Sequence, residues 1–291
     1  MIRYYHMEYP LRKLTQSEFP PLLLEIPDAP KTLYLRGTLP APEVKLLAVV
    51  GSRKYTPYGK MAVEKLIGGL RGYPIAIVSG LALGIDGLAH LAALSAGLKT
   101  IAVPGSGLQD EVLYPSTHHA LAKKILAAGG ALISEFEPDF KARPESFPQR
   151  NRIMAGMSHA VLIVEAANKS GTLITSRLAT DYNRDVLVVP GSIFSESSFG
   201  PHMLLSLGAT PITSSEDILR ALTIEVSPSA PHERADISET EKRVLTILTE
   251  PRTRDELTDA LSLPASEASI LLSTMELKGL IAQELGKIHA R

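Results

Sequence analysis

The sequence predicts a doubly wound α/β domain followed by a small helical domain, and three observations predict it. Six short runs, Leu46–Val50, Ile75–Ser79, Thr100–Val103, Ala131–Ser134, Ala160–Glu165 and Val186–Val189, are nearly continuous in apolar character rather than alternating. Strands buried on both faces of a parallel sheet read this way. Helical patterns at Tyr58–Leu70, Ile85–Ala96, Ser116–Ala128 and Gly171–Tyr182 fill the gaps. That strand-then-helix order is the order of a doubly wound, mostly parallel, Rossmann-like sheet. The third observation is the tail, where Ser238 and Glu241 form a Ser-x-x-Glu helix start ahead of Val244, Leu245, Ile247 and Leu248.

Taken in order, residues 1–40 are rich in proline, with Pro20, Pro27 and Pro30 breaking any period. They are expected to form an irregular lead-in that packs on the main domain, with a short strand at Thr32–Arg36. Residues 41–223 form the α/β domain. Residues 224–236 carry Ser227, Pro228, Ser229, Ala230 and Pro231 and read as a linker. In residues 237–291, Thr253–Leu261 suits a second helix, Ala265–Lys278 a third and Leu280–Ile288 a hairpin. Three helices and a hairpin in this order suggest a winged-helix-like domain.

Composition narrows the function classes. Of 291 residues, 45% are hydrophobic and 21% charged, which suits a globular protein. The formal net charge is −1, so any surface for a polyanion must be local. There is no cysteine, which excludes disulfides, Cys-ligated zinc and thiol catalysis. No apolar run approaches the ~18 residues of a membrane span. Met1–Lys13 has no apolar core of signal-peptide type. A cytoplasmic location and no membrane partner are expected by default.

Ligands of open α/β sheets bind beyond the carboxyl ends of the strands. Those ends read Gly51-Ser52-Arg53, Ser79-Gly80-Leu81-Ala82-Leu83-Gly84, Pro104-Gly105-Ser106-Gly107, Lys169-Ser170-Gly171-Thr172 and Pro190-Gly191-Ser192. Glycine lets backbone N–H groups approach an anion, and a following helix N-terminus adds a favourable dipole. One such loop would be read as a tight turn, but five together favour an anion site. Arg53, Lys54, Arg150, Arg152 and Lys169 lie in the same segments, densest in Phe147-Pro148-Gln149-Arg150-Asn151-Arg152. Arginine forks match phosphate oxygens, so Arg53, Arg150, Arg152 and Lys169 on one sheet edge predict a polyanion site. Phe147 is either a platform on which a base stacks or a buried anchor for its segment.

Other nucleotide chemistries fit less well. There is no Gly-x-x-x-x-Gly-Lys-[Ser/Thr] loop and no Gly-x-Gly-x-x-Gly after the first strand. The second strand ends in Ser79 rather than an acid for a ribose hydroxyl. Asp86 and His90 lie one helical turn apart, but two ligands do not make a metal site; a helix-start cap and a hydrogen-bonding histidine are expected. Glu135, Asp139 and Glu165 lie near strand ends without a His or Ser to complete a hydrolytic mechanism. No cofactor and no metal are expected. The third tail helix holds Glu267, Glu276 and one basic residue, Lys278. That is a poor major-groove reader, so the tail points to protein contact or regulation.

At these residues the sequence resembles the DNA-processing protein A (DprA/Smf) family over most of its length. The motifs are Ala48-Val49-Val50-Gly51-Ser52-Arg53 with Tyr58-Gly59, and Ser79-Gly80-Leu81-Ala82-x-Gly84-Ile85-Asp86-x-x-Ala89-His90. Tyr114-Pro115, Ser134-Glu135, Phe147-Pro148-x-Arg150-Asn151-Arg152 and Lys169-Ser170-Gly171-Thr172 follow in the family's order. His118 and His202 stand where the family usually has Asn. The resemblance implies a non-enzymatic protein whose Rossmann-like domain binds and protects single-stranded DNA, forms a homodimer and loads the recombinase RecA during natural transformation of competent cells. The candidate contacts are Gly51, Ser52, Arg53, Gly80, Gly84, Phe147, Gln149, Arg150, Asn151, Arg152, Lys169, Ser170, Gly171 and Thr172. Two alternatives remain. One is a nucleoside-monophosphate phosphoribohydrolase-like enzyme on a related fold, whose Pro-Gly-Gly-x-Gly-Thr loop Lys169–Thr172 echoes only in part. The other is a purely structural dimerising scaffold.

Overall fold

The computed structural model describes residues 9–168, 170–225, 238–248, 250–261, 263–278, 280–284 and 286–290. The chain divides into two units, Met1–Val226 and Ser227–Arg291. The expected linker at 224–236 lies outside the described residues from 226 onward.

In the first unit the strands are β1 Arg12–Lys13, β2 Tyr34–Gly37, β3 Lys45–Val50, β4 Ile75–Ser79, β5 Lys99–Ala102, β6 Ala131–Ser134, β7 Ala160–Ile163, β8 Asp185–Val188 and β9 Thr210–Pro211. The helices are α1 Pro21–Leu24, α2 Pro57–Gly68, α3 Ile85–Ser95, α4 His119–Ala127, α5 Ser146–Met157, α6 Thr172–Asp181, α7 Phe199–Ser206 and α8 Ser215–Ala221. The strands form one sheet in the order β1-β2-β6-β5-β4-β3-β7-β8-β9. Pairing from β6 through β3 to β9 is parallel. The chain runs outward from β3 to β6 and then returns to β7 on the other flank of β3, so the strand order reverses between β3 and β7.

Both faces of the sheet are covered, which is why its strands read as continuous apolar runs. Along β3, Leu46, Ala48 and Val50 enter one core with Ile153, Met154 and Met157 of α5. Leu47 and Val49 enter the other, with Val63, Leu66 and Ile67 of α2 and Ala89, Ala92 and Ala93 of α3. Each fully buried aliphatic side chain of this kind contributes about 1.5–3 kcal/mol.

Two elements depart from the sequence expectation. The lead-in is more regular than its prolines suggest: β2 pairs antiparallel with β6, and β1 pairs antiparallel with β2. Leu14, Phe19, Leu23, Ile26, Leu33 and Leu35 join the first core, so tertiary packing supplies what local propensity lacks. The stretch from Ser146 to Met157, read as a basic segment ahead of a strand, is a full helix. Pro148 falls in its first turn, where no intrahelical N–H is needed. The polar sequence Gln149–Arg152 hid the buried stripe of Ile153, Met154 and Met157.

The second unit holds α9 Glu239–Ile247, β10 Arg252–Thr253, α10 Arg254–Leu261, α11 Ala265–Leu277, β11 Ile281–Glu284 and β12 Lys287–Ala290. Its start follows the predicted cap: Ser238 N–H donates to Glu241 Oε2 at 2.7 Å, and Glu241 N–H to Ser238 Oγ at 3.3 Å. Val244, Leu257, Leu261, Leu272, Met275 and Ile288 close its core. The sheet order β10-β12-β11 places the expected hairpin beside three helices, as in a winged helix.

Candidate nucleic-acid interface

The carboxyl ends of β3, β4, β5, β7 and β8 share one edge, and the reversal between β3 and β7 is where ligands of such sheets bind. After β3 the backbone turns on Ser52, whose Oγ accepts from Lys54 N–H at 3.0 Å and donates to Lys54 O at 2.6 Å. This turn leaves Arg53 and Lys54 exposed. Gly84 holds the neighbouring loop against it: its φ is +87°, and a Cβ there would stand 2.6 Å from Arg53 Cα. Ile85 N–H then donates to Ser52 O at 3.1 Å. A side chain at Gly84 would be strained and would also displace Arg53.

Arg53 lies over the ring of Phe147, its guanidinium carbon 5.2 Å from the centroid. Among the described residues it has no carboxylate within ion-pair distance. Phe147 is half-buried. Gly105 leaves room for the ring, since a Cβ there would lie 2.6 Å from it. Tyr114, itself exposed, packs on the ring at 5.6 Å between centroids. Ser146 Oγ fixes the start of α5 by donating to Gly105 O at 2.6 Å. The result is a cation above an aromatic shelf at an open edge, an arrangement suited to phosphate and base together.

The other arginines are placed differently. Arg150, expected to reach phosphate, is 4% exposed, and its guanidinium donates to the carbonyls of Gly80 and Val103 at the ends of β4 and β5. Asp86 Oδ2 accepts from Gly80 N–H at 3.1 Å beside it. Burial pushes the Asp86 carboxyl up while the nearby Arg150 charge holds it down. Burial likewise brings Arg150 down to about 10. Arg152 pairs with Glu135 and hydrogen-bonds Asp28 O. Arg150 is therefore spent inside the protein, because a buried cation requires partners, and Arg152, partly exposed, is already engaged by Glu135 and Asp28.

Of the remaining expected contacts, Gly51 and Ser52 are partly exposed, Gly80 is buried, Gln149 is exposed and Asn151 is partly exposed. Lys169 lies outside the described residues. Ser170 and Thr172 are linked, with Thr172 N–H donating to Ser170 Oγ at 3.2 Å, at the start of α6. That loop follows β7, whose Ile163 pairs with Val50 of β3, so it neighbours the Arg53 turn. His90 behaves as expected: Thr100 Oγ1 donates to Ile77 O, so His90 Nδ1–H donates to Thr100 Oγ1 at 2.7 Å. Burial lowers His90 to about 3. Asp86 accepts from Gly80 rather than from its own helix start. Among the described residues, no cluster of three or more His, Asp or Glu could hold a metal, and no helix is long and apolar enough to cross a membrane.

Sequence reasoning missed Tyr114 as a neighbour of Phe147, although its motif had been noted. The two departures from the family pattern have a common role. His118 Nδ1 donates to Leu81 O at 2.8 Å and His202 Nε2 to Gly191 O at 3.0 Å, a bond an Asn amide also makes.

Residues 11–223 match the family described as DNA recombination-mediator protein A, and residues 228–287 match the DprA winged helix domain. The chain belongs to the DprA/Smf family. The protein Smf of Escherichia coli K12 is 44% identical over 218 residues, covering 74% of this chain, which spans 58% of that protein's length. DNA processing protein DprA of Streptococcus pneumoniae is 42% identical, covering 73% of this chain and 74% of its own. Among solved DprA structures, that of the S. pneumoniae protein superposes with a TM-score of 0.67 at 41% identity, over 73% of this chain and 74% of the other. DprA from Helicobacter pylori, whose structure concerns its single-stranded DNA binding mode, superposes with a TM-score of 0.65 at 31% identity, over 74% and 97%.

Proposed function

We propose that this DprA/Smf chain binds single-stranded DNA along the carboxyl edge of its parallel sheet, without catalysis. The observation that carries the proposal is Arg53, exposed and, among the described residues, without a carboxylate partner, lying over Phe147 at the sheet's reversal point. Backbone groups of Gly51, Ser52, Ser170, Gly171 and Thr172, with Lys169, Gln149 and Asn151, complete the contacts. Gly80, Gly84, Arg150 and Arg152 hold that edge in place from inside. Phosphate contacts of this kind give sequence-tolerant, salt-sensitive binding.

The family likeness supports a finer reading: protection of incoming strands and loading of RecA in natural transformation or recombination, in the cytoplasm and as a homodimer. The exposed apolar residues Ile193, Phe194, Phe199, Met203 and Leu207 on and around α7 support dimer contacts through the sheet domain. The second unit serves protein contact or regulation: the exposed face of α11 presents Ser266, Ser269, Ile270 and Ser273 rather than cations.

Titration with single- and double-stranded oligonucleotides across a range of salt tests the proposal. Preference for single strands and a clearly negative log–log salt slope are expected. A flat slope or equal preference for duplex would refute it. Release of base from nucleoside monophosphates would instead support the phosphoribohydrolase reading.

A further inference from the structure

Beside the Arg53 turn, on the α2 flank of the same crevice, lies a cavity of about 400 Å³ lined by Thr56, Tyr58, Glu165, Gly191, Ser192 and Ser197 among others. Its volume is at the small end of ligand pockets, about 300–1,000 Å³. Glu165, only 3% exposed, lies in its wall. Its Oε1 accepts from Thr56 Oγ1 at 2.5 Å and Ser197 Oγ at 3.2 Å, and its Oε2 from Thr56 N–H at 3.0 Å. Gly59 makes room for the carboxylate, since a Cβ there would stand 2.5 Å from Oε2.

At this position, the first helix after a central strand, doubly wound folds usually seat a phosphate on the helix N-terminus. Here the chain's own carboxylate takes that seat, and a second anion beside it would be repelled. What remains next to the carboxylate is a group of acceptors, with the hydroxyl of Ser192, which accepts from Phe194 N–H at 3.2 Å, elsewhere in the wall. Oε1 has both lone pairs occupied, whereas Oε2 has one to spare. Among the described residues, Thr56 Oγ1 accepts only from Gly59 N–H at 3.1 Å, and Pro190 O accepts Tyr58 O–H at 2.5 Å. That last bond holds the Tyr58 ring, half of it exposed, at the cavity wall.

We propose that this cavity is a nucleobase subsite for bases that present an amino group: cytosine, adenine or guanine in preference to thymine. The amino N–H donates to Glu165 Oε2, the Tyr58 ring flanks the base, and the phosphate stays outside toward Arg53 and Lys54. Thymine has no amino group, and its one ring N–H lies between two carbonyl oxygens, which the Glu165 carboxylate and Pro190 O would repel. The proposal rests on the strand-binding reading above when the base belongs to a strand, but a free nucleoside monophosphate carries the same chemistry.

The test compares oligo-dC with oligo-dT of equal length at neutral pH on the full chain. One hydrogen bond to a charged acceptor gained, against one mismatched acceptor, corresponds to a preference of about fivefold to tenfold for oligo-dC. Glu165→Gln, which supplies a donor to thymine, should erase or invert that preference while circular dichroism stays unchanged. Should that variant fold poorly, Tyr58→Leu gives the second readout, weakening oligo-dC more than oligo-dT. Equal affinity of the wild-type chain for both strands, or a preference that survives Glu165→Gln in the folded variant, overturns the subsite and leaves strand binding intact. Free dCMP and dTMP form the other arm. Binding of dCMP that depends on Glu165, with neither strand bound, would keep the subsite and overturn the strand reading. Absence of binding by strands and nucleotides alike overturns both.

Discussion

Arg53 and Arg150 belong to motifs of the same edge, yet they stand in opposite conditions. Arg53 is exposed on the turn after β3, over the Phe147 ring. Arg150, one turn along α5 from that ring, is enclosed and shared between the carbonyls of Gly80 and Val103. One charge is available to a ligand and the other holds two strand ends together. A cluster of cations in a sequence therefore measures potential binding, while its burial decides what is left for a partner.

The contrast is broken most sharply at Arg150. Arg150→Met should destabilise the fold by roughly 3–5 kcal/mol, because it strands two carbonyls and the buried Asp86. The melting temperature should fall steeply, with DNA affinity lost only as the protein unfolds. A stable variant with weakened binding would move Arg150 into the contact set.

Acid probes the same interior. His90 is held neutral in the fold at about 3 against an ordinary value of 6.5. Its contribution to stability is therefore present above pH 6.5 and is lost as pH falls through the window from 6.5 to about 3. Asp86, raised by burial, acts in the opposite sense. The difference between the wild-type and His90→Asn stability curves isolates the histidine: the wild-type curve should fall more steeply over that window, and parallel curves would show that His90 does not titrate differently on folding.

Arg53→Ala sharpens the other half of the contrast. Affinity for single strands should drop by roughly 1.5–3 kcal/mol through lost charge-assisted bonds, with an unchanged melting temperature. Intact folding with unchanged affinity removes Arg53 from the site. Phe147→Leu follows at roughly 1–3 kcal/mol if a base stacks on the ring. If the ring only anchors α5 against Gly105 and Tyr114, the melting temperature falls instead. The smallest effect belongs to the tail: removing residues 224–291 should leave the affinity of the sheet unit nearly unchanged, and a large loss in the folded truncated chain would give the second unit a direct part in binding.

The parallel strands and the glycine turns at their ends were legible because both rest on local pattern. Continuous apolar runs such as Leu46–Val50 have one explanation when both sheet faces are covered, and the Gly-Ser-Arg turn shows its chemistry in three residues. The lead-in strands were only half visible, since β2 is held by its pairing with β6, about a hundred residues away. Helix α5 was hidden because Arg150 occupies a buried position that a periodic reading reserves for apolar residues. The Glu165 carboxylate was noticed as a possible hydrolytic group, but its engagement with Thr56 and Ser197 depends on three separate loops and cannot be read from spacing.

The two outermost strands of the large sheet are each only two residues long: Arg12–Lys13 at one border and Thr210–Pro211 at the other. An edge that ends in adjacent cations, or in a proline without an N–H, offers little for another backbone to zip onto. Such short borders give the sheet of another copy little to extend. Contacts between copies would fall instead to side chains such as Phe199 and Met203 on α7.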